Sequence, residues 1–163
     1  MAKEIERKFT VDTNKWHPED AGVRVRQGYL PIAGKTAVRV RITGDSAWLT
    51  IKGENKGAVR SEFEYPIPLT DAQQILDELC ERPFIEKIRY GVNYAGADWE
   101  VDVFEQENAG LIIAEIELVA ENQEIDPPPW VLMEVTDDPR YYNANLIKYP
   151  FKDWLKDAAQ RRS

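Results

Sequence analysis

Polar and apolar residues alternate with period two through most of the chain, which predicts strands with one charged and one apolar face. In the first, Glu4, Glu6 and Lys8 share a face, and Ile5, Arg7 and Phe9 take the other. Val38, Val40 and Ile42 alternate with Arg39 and Arg41, and Leu49 and Ile51 with Thr50 and Lys52. Phe63 and Tyr65 alternate with Glu62 and Glu64, with Arg60 preceding on the charged face; Ile88 and Tyr90 alternate with Lys87 and Arg89. Trp99, Val101 and Val103 alternate with Glu100 and Asp102, and Ile116 and Leu118 with Glu115 and Glu117. A less regular stretch from Arg24 to Tyr29 brings the expectation to about eight strands.

Turn residues separate several of them: Gly44-Asp45, the run Gly53 to Gly57, and Asn108 to Gly110. Strands joined by such short loops are antiparallel. A helix fits Thr70 to Cys80, with Thr70 as N-cap and a stripe of Ala72, Ile75, Leu76 and Leu79. Cys80 reads as a small buried hydrophobe at its end. Asp126-Pro127-Pro128-Pro129 is a stiff connection. Beyond it the period turns helical, with starts at Asp138-Pro139 and near Pro150, the second helix running to the chain end. No repeat or linker divides the 163 residues, so one domain over 1–163 is expected.

The charges are sorted by strand. Glu4/Glu6, Glu62/Glu64, Glu100/Asp102 and Glu115/Glu117 are acidic pairs, and Arg39/Arg41 and Lys87/Arg89 basic pairs, joined by Lys8, Lys52 and Arg60. Like charges two apart on a strand lie about 7 Å from each other and repel, so one-signed faces cost stability. A ligand of complementary charge is a reason to keep them. If the sheet closes into a barrel, these faces either line a wet channel, with the apolar faces packed outward against helices, or face bulk solvent. Periodicity does not separate the two. On the inward reading, converging Arg and Lys suit a chain of phosphates, and paired carboxylates suit Mg²⁺ or Mn²⁺.

Composition narrows the classes. With 43% apolar and 31% charged residues the chain is globular, and its net charge of −8 argues against nonspecific nucleic-acid or acidic-membrane binding. No apolar run reaches about 18 residues, and no charged-then-apolar leader follows Met1, so neither a membrane span nor a signal peptide is expected. One cysteine allows no internal disulfide, and a cytoplasmic location is the expectation. His17, the single histidine, precedes Pro18 in a predicted surface turn, which disfavours a nucleophile–histidine triad and a structural zinc site. Gly53-Glu54-Asn55-Lys56-Gly57 lacks the spacing of a phosphate loop and reads as a hairpin turn. The five tryptophans read as core, with Trp48 on the charged face a candidate for the channel mouth.

Glu4-x-Glu6-x-Lys8 at the N-terminus resembles the signature of the CYTH superfamily, the triphosphate tunnel metalloenzymes. Arg39-x-Arg41, Lys52-Gly53, Arg60-x-Glu62-x-Glu64, Lys87-x-Arg89, Glu100-x-Asp102 and Glu115-x-Glu117 follow in the family's order. Glu134-Val135-Thr136 and Arg140-Tyr141-Tyr142-Asn143-x-Asn145-Leu146 are similar to the tail of its small bacterial members. Thr10 departs from the family, where an apolar residue follows Phe9.

The resemblance implies an α+β fold, an eight-stranded antiparallel closed β-barrel forming a tunnel with flanking helices. It implies metal-dependent hydrolysis of a triphosphate, with inorganic tripolyphosphate going to pyrophosphate and phosphate. The alternatives are a thiamine or nucleoside triphosphatase, an adenylyl cyclase, or a binding module that holds polyphosphate without turnover. In family terms Lys8, Arg39, Arg41, Lys52, Arg60 and Arg89 grip the phosphates. Glu4, Glu6, Glu115 and Glu117 hold Mg²⁺ or Mn²⁺, with Glu62, Glu64 and Asp102 as additional candidates. Tyr29 and Lys87 resemble the catalytic dyad of the bacterial tripolyphosphatases. The expected partner is a small-molecule triphosphate, with neither nucleic acid nor membrane, and a homodimer is left open.

Overall fold

In the computed structural model, which describes residues 3–162, the chain forms nine strands, three α-helices and two short 3₁₀ turns. Met1, Ala2 and Ser163, on which the leader reading and the last residue of the C-terminal helix fall, lie outside the described residues. The strands are β1 (Lys3–Val11), β2 (Val23–Tyr29), β3 (Ala37–Thr43), β4 (Ser46–Lys52), β5 (Val59–Ile67), β6 (Ile85–Tyr94), β7 (Ala97–Phe104), β8 (Ile112–Glu117) and β9 (Val131–Glu134). The helices are α1 (Leu69–Leu79), α2 (Asn143–Leu146) and α3 (Phe151–Arg162).

The sheet order is β5-β4-β3-β2-β6-β7-β8-β1-β9, and β5 also pairs with β1. That extra pairing closes eight antiparallel strands into a barrel, as expected. β9 is an addition to the predicted set. Its four residues are too short to show a period. It docks on the end of β1, where Met133 N–H donates to Thr10 Oγ1 at 3.1 Å. The Thr10 departure therefore gives the edge strand a partner.

The outward apolar faces are covered unevenly. Over β2, β3 and β4 lies α1, whose Ala72 and Leu76 bury against Val40, Ala47 and Phe84. Gly28 permits this close approach: a Cβ there would stand 2.7 Å from Leu76 Cδ2. The helix differs from expectation at both ends. It begins with Pro68 in the cap position, whose ring suits a φ of −59° and whose carbonyl accepts from Ala72 N–H, so Thr70 lies inside the first turn. Leu79 is 55% exposed and leaves the stripe, and Cys80 is half-buried, its thiol pushed up by that burial. Over β1, β7 and β8 the cover is loop rather than helix: Trp16 and Trp130 pack on Phe9, Trp99, Val101 and Ile116. On β5 only the end is covered, where Ile67 packs against the α1 cluster, and Phe63 and Tyr65 are 44% and 52% exposed.

After β9 the chain turns at Asp138-Pro139 into a 3₁₀ turn, Pro139–Tyr141, capped by the Asp138 carboxylate, rather than into a long helix. Tyr141, Leu146, Ile147 and Trp154 then pack on Tyr29, Ile85, Phe104 and Ile113. These four strand residues belong to the inward-facing set, so the C-terminal segment plugs one end of the barrel. Among the described residues no helix is long and apolar enough to cross a membrane.

Candidate active site

Strand register places the charged faces inside the barrel. Arg89 stands opposite Asp102, Glu100 opposite Glu115, Glu6 opposite Glu117 and Lys8 opposite Glu115, all facing one interior. Around the circumference β7, β8, β1 and β5 are consecutive and carry Glu100, Asp102, Glu115, Glu117, Glu4, Glu6, Glu62 and Glu64. The remaining arc, β4, β3, β2 and β6, carries Lys52, Arg39, Arg41, Lys87 and Arg89. Strands that are interleaved in sequence thus form one acidic wall and one basic wall, with Lys8 and Arg60 as cations on the acidic side.

The walls enclose a chamber of about 230 Å³ lined by seven carboxylates, six cationic side chains and Asn143. Lys52 bridges Glu4 (2.9 Å) and Glu62 (3.1 Å), and Lys8 bridges Glu6 (3.0 Å) and Glu115 (3.2 Å). Burial works to lower Lys8, yet Glu115 and Glu6 outweigh it and hold the ammonium above its ordinary value. Arg41 reaches Glu64 at 3.2 Å, while burial and Arg39 beside it push its guanidinium down. Asp102 is fully buried and lines neither cavity. Arg89 takes both of its oxygens (2.8 and 2.9 Å) and Lys87 takes one (2.8 Å). Since Arg89 already claims that carboxylate, burial dominates at Lys87 and lowers it to about 8.

Among the described residues four guanidinium Nε atoms, of Arg26, Arg39, Arg41 and Arg60, are buried without a hydrogen-bond partner, and the last three belong to cavity-lining residues. An unpaired buried donor costs about 1–3 kcal/mol, and more when charged. Arg39 has only a 3.8 Å approach to Glu64, and Arg60 has no ion pair among the described residues. These cations are under-satisfied by the protein itself, as suits a ligand rich in anionic oxygens.

The acidic wall suits a divalent cation by its chemistry. Burial raises Glu117, and Glu4, Glu6 and Glu100 add to the rise; burial and carboxylate neighbours likewise raise Glu100 despite Arg89. Crowded, mutually repelling carboxylate oxygens are the donors that hard cations take. Among the described residues no three acidic groups already converge on one point. Glu4, Glu6 and Glu115 are drawn aside by lysines, whereas Glu117 makes no ion pair among the described residues.

A second cavity, of about 510 Å³, adjoins the chamber and shares Glu6, Lys8, Arg39, Lys52 and Asn143 with it. Its cations are Lys8, Lys35, Arg39, Lys52, Arg60 and Lys148, against Glu6, Glu54 and Glu81. Tyr29 lines this cavity and Lys87 the chamber, and no direct hydrogen bond joins them among the described residues. They meet through Asn143. Lys87 Nζ (3.1 Å) and Gln27 Nε2 (3.2 Å) both donate to Asn143 Oδ1, and Gln27 Nε2 also approaches the Tyr29 hydroxyl at 3.3 Å. Asn143 stood in the sequence only as part of a tail motif. The signal available for it was a polar residue after Tyr141-Tyr142 in an otherwise apolar-periodic segment. Trp48 is half-buried and lines neither cavity.

Residues 2–142 match the CYTH domain. The chain belongs to the CYTH family. An Acetivibrio thermocellus protein named inorganic triphosphatase is 49% identical over 154 residues, spanning 94% of this CYTH chain and 99% of its own length. A Nitrosomonas europaea protein of the same name is 38% identical over 147 residues, 88% of this chain and 95% of its own. A solved structure, described as that of an inorganic triphosphatase, superposes with a TM-score of 0.65 at 34% identity, covering 90% of this chain and 95% of that one. A Pyrococcus furiosus protein at 20% identity and TM-score 0.54, covering 73% of this chain and 80% of its own, shares the fold. The barrel that the resemblance implied is thus the CYTH tunnel.

Proposed function

We propose that this CYTH chain is a cytoplasmic inorganic triphosphatase that hydrolyses tripolyphosphate to pyrophosphate and phosphate. The observation that carries the reading is the set of three cavity-lining guanidinium groups, of Arg39, Arg41 and Arg60, whose Nε donors have no partner among the described residues, in cavities that also hold crowded carboxylates. The two triphosphatase-named relatives that match nearly the whole chain support it. Arg39, Arg41, Lys52, Arg60, Lys8 and Arg89 bind and align the phosphate chain. They offset charge on the oxygens as the bridging bond breaks and pyrophosphate leaves. Glu4, Glu6, Glu115 and Glu117, with Glu62 and Glu64 as further candidates, would hold Mg²⁺ or Mn²⁺, which supplies charge neutralisation on the phosphate oxygens. Asp102, its oxygens given to Arg89 and Lys87, holds those two cations in place.

Hydrolysis needs a water oxygen to attack the terminal phosphorus in line with the breaking bond, and a base to take its proton. Tyr29 and Lys87 fill that role as a pair across the junction of the two cavities. Tyr29 is held at its hydroxyl by Gln27, and Lys87 at its ammonium by Asn143 and Asp102. A lysine lowered to about 8 exchanges its proton near neutral pH. The larger cavity gives one reason to keep organic triphosphates as a second substrate class, because Leu30, Ile32, Ala37, Val38 and Ile147 form an apolar side to it. Incubation with tripolyphosphate, ATP and thiamine triphosphate, each with Mg²⁺ or Mn²⁺, tests the reading. Phosphate with pyrophosphate from tripolyphosphate is the expected result. Cyclic AMP from ATP identifies a cyclase, and binding without any product identifies a polyphosphate-holding module.

A further inference from the structure

Asn143 differs in kind from its surroundings. Among the described residues it is the one uncharged side chain lining the chamber, and it also lines the larger cavity, so it stands where the two join. It arrives from α2, outside the barrel strands that supply the other thirteen lining residues. Its orientation follows from its neighbours. Lys87 carries donors only, so the oxygen of Asn143 has to face Lys87 Nζ, and Gln27 then presents its NH₂ to the same oxygen. Reversing the amide would press NH₂ against an ammonium. With Oδ1 committed, the two Nδ2 donors have no partner among the described residues and are left at the cavity surface.

We propose that Asn143 is a substrate-binding residue. Its Nδ2 donates to a phosphate oxygen at the junction of the cavities, making the C-terminal segment part of the site. A neutral donor there adds a directional contact without adding a seventh cation to the chamber lining. This role rests on the triphosphatase reading. Two substitutions separate the donor from the acceptor. Asn143→Asp keeps an oxygen for Lys87 and Gln27 and replaces the donor by a second oxygen that repels phosphate. Asn143→Ala removes both donor and acceptor without adding charge, so only an effect shared by the two variants is assigned to the donor.

Both variants are expected to raise KM for tripolyphosphate roughly 10- to 100-fold, the scale of a hydrogen bond to a charged group, while any change in kcat reports the altered partner of Lys87. Calorimetric affinity for tripolyphosphate should fall in step, and Asn143→Asp should melt at or above the wild-type temperature. Wild-type KM in Asn143→Asp would leave the residue only an acceptor for Lys87 and Gln27 and overturn the proposal. Wild-type KM and affinity in Asn143→Ala overturns it too, assigning any effect of Asn143→Asp to the added charge. Wild-type protein that neither binds nor turns over tripolyphosphate overturns the triphosphatase reading itself, an outcome distinct from variants that match an active wild type.

Discussion

Along single strands the barrel interior changes from a sealed apolar plug to a charged chamber within four residues. β6 runs Ile85, Lys87, Arg89 on its inner face; β7 runs Phe104, Asp102, Glu100; β8 runs Ile113, Glu115, Glu117. At one end these residues pack on Leu146, Tyr141 and Trp154. At the other, thirteen charged side chains line the chamber. The plug gains stability from burial, about 25 cal/mol per Å² of apolar surface. In the chamber the cost of desolvating charge offsets much of what its ion pairs return. Apolar packing at the plug and along the outer layers therefore holds a barrel whose middle is kept strained for binding.

Breaking the chamber should affect activity and spare the fold. Glu6→Gln removes one of the carboxylates that crowd Glu117, so turnover of tripolyphosphate should vanish while the melting temperature stays level or rises. Chelation of divalent cations with EDTA should abolish activity in the same way, and full activity in EDTA would end the metal-dependent reading. Breaking the plug should do the reverse. Leu146→Ala deletes a fully buried side chain and should cost roughly 2–5 kcal/mol of stability in denaturant unfolding. The protein that remains folded should keep its KM.

Tyr29 belongs to both regions, since it sits in the plug cluster and also lines the larger cavity. Tyr29→Phe keeps the ring, so stability should move by no more than about 1 kcal/mol, while kcat should fall roughly 10²-fold with KM nearly constant. Normal kcat in that variant removes Tyr29 from the chemistry and leaves it a packing residue.

The smallest effect lies outside the barrel. Arg7 donates twice to Glu134 (2.6 and 2.9 Å), tying β9 to β1, and this hydrogen bonding holds the Glu134 carboxyl below its usual range against the opposing effect of burial. A depressed carboxylate stabilises the fold above its unfolded pKa, near 4.3, and loses that contribution as pH falls through the lower folded value. Both side chains are partly exposed and screened, so Arg7→Met should cost at most about 1 kcal/mol at pH 7. At a pH below the folded value of Glu134 the difference should close. A stability gap that persists there would mean Arg7 acts through packing on Phe9.

The strands were legible because period-two alternation follows from backbone geometry alone, and the charged pairs marked one face of each. β9 and the true start of α1 were not. A four-residue strand shows no period, and Pro68 sets a helix start by its ring and carbonyl without any side-chain cap. Among the candidate residues, the one-signed pairs on β1, β3, β5, β6, β7 and β8 named nearly the whole chamber lining. Asp102 was equally visible, but that its carboxylate is spent on Arg89 and Lys87 depends on which strands pair. Asn143 was hidden because its importance comes from meeting Lys87 across 56 positions of chain.

By itself the sequence determined which residues share a face, which strands carry one sign of charge, and that so many like charges call for a ligand. These are consequences of local geometry and Coulomb repulsion, read between residues two apart. Tertiary structure alone decided that the charged faces turn inward and that four acidic strands scattered along the chain become one wall. It also set an amide from the C-terminal segment between Lys87 and Gln27. Closing the sheet through the β1–β5 pairing fixes those neighbours, and strand order around a barrel is set by long-range pairing that no local period encodes.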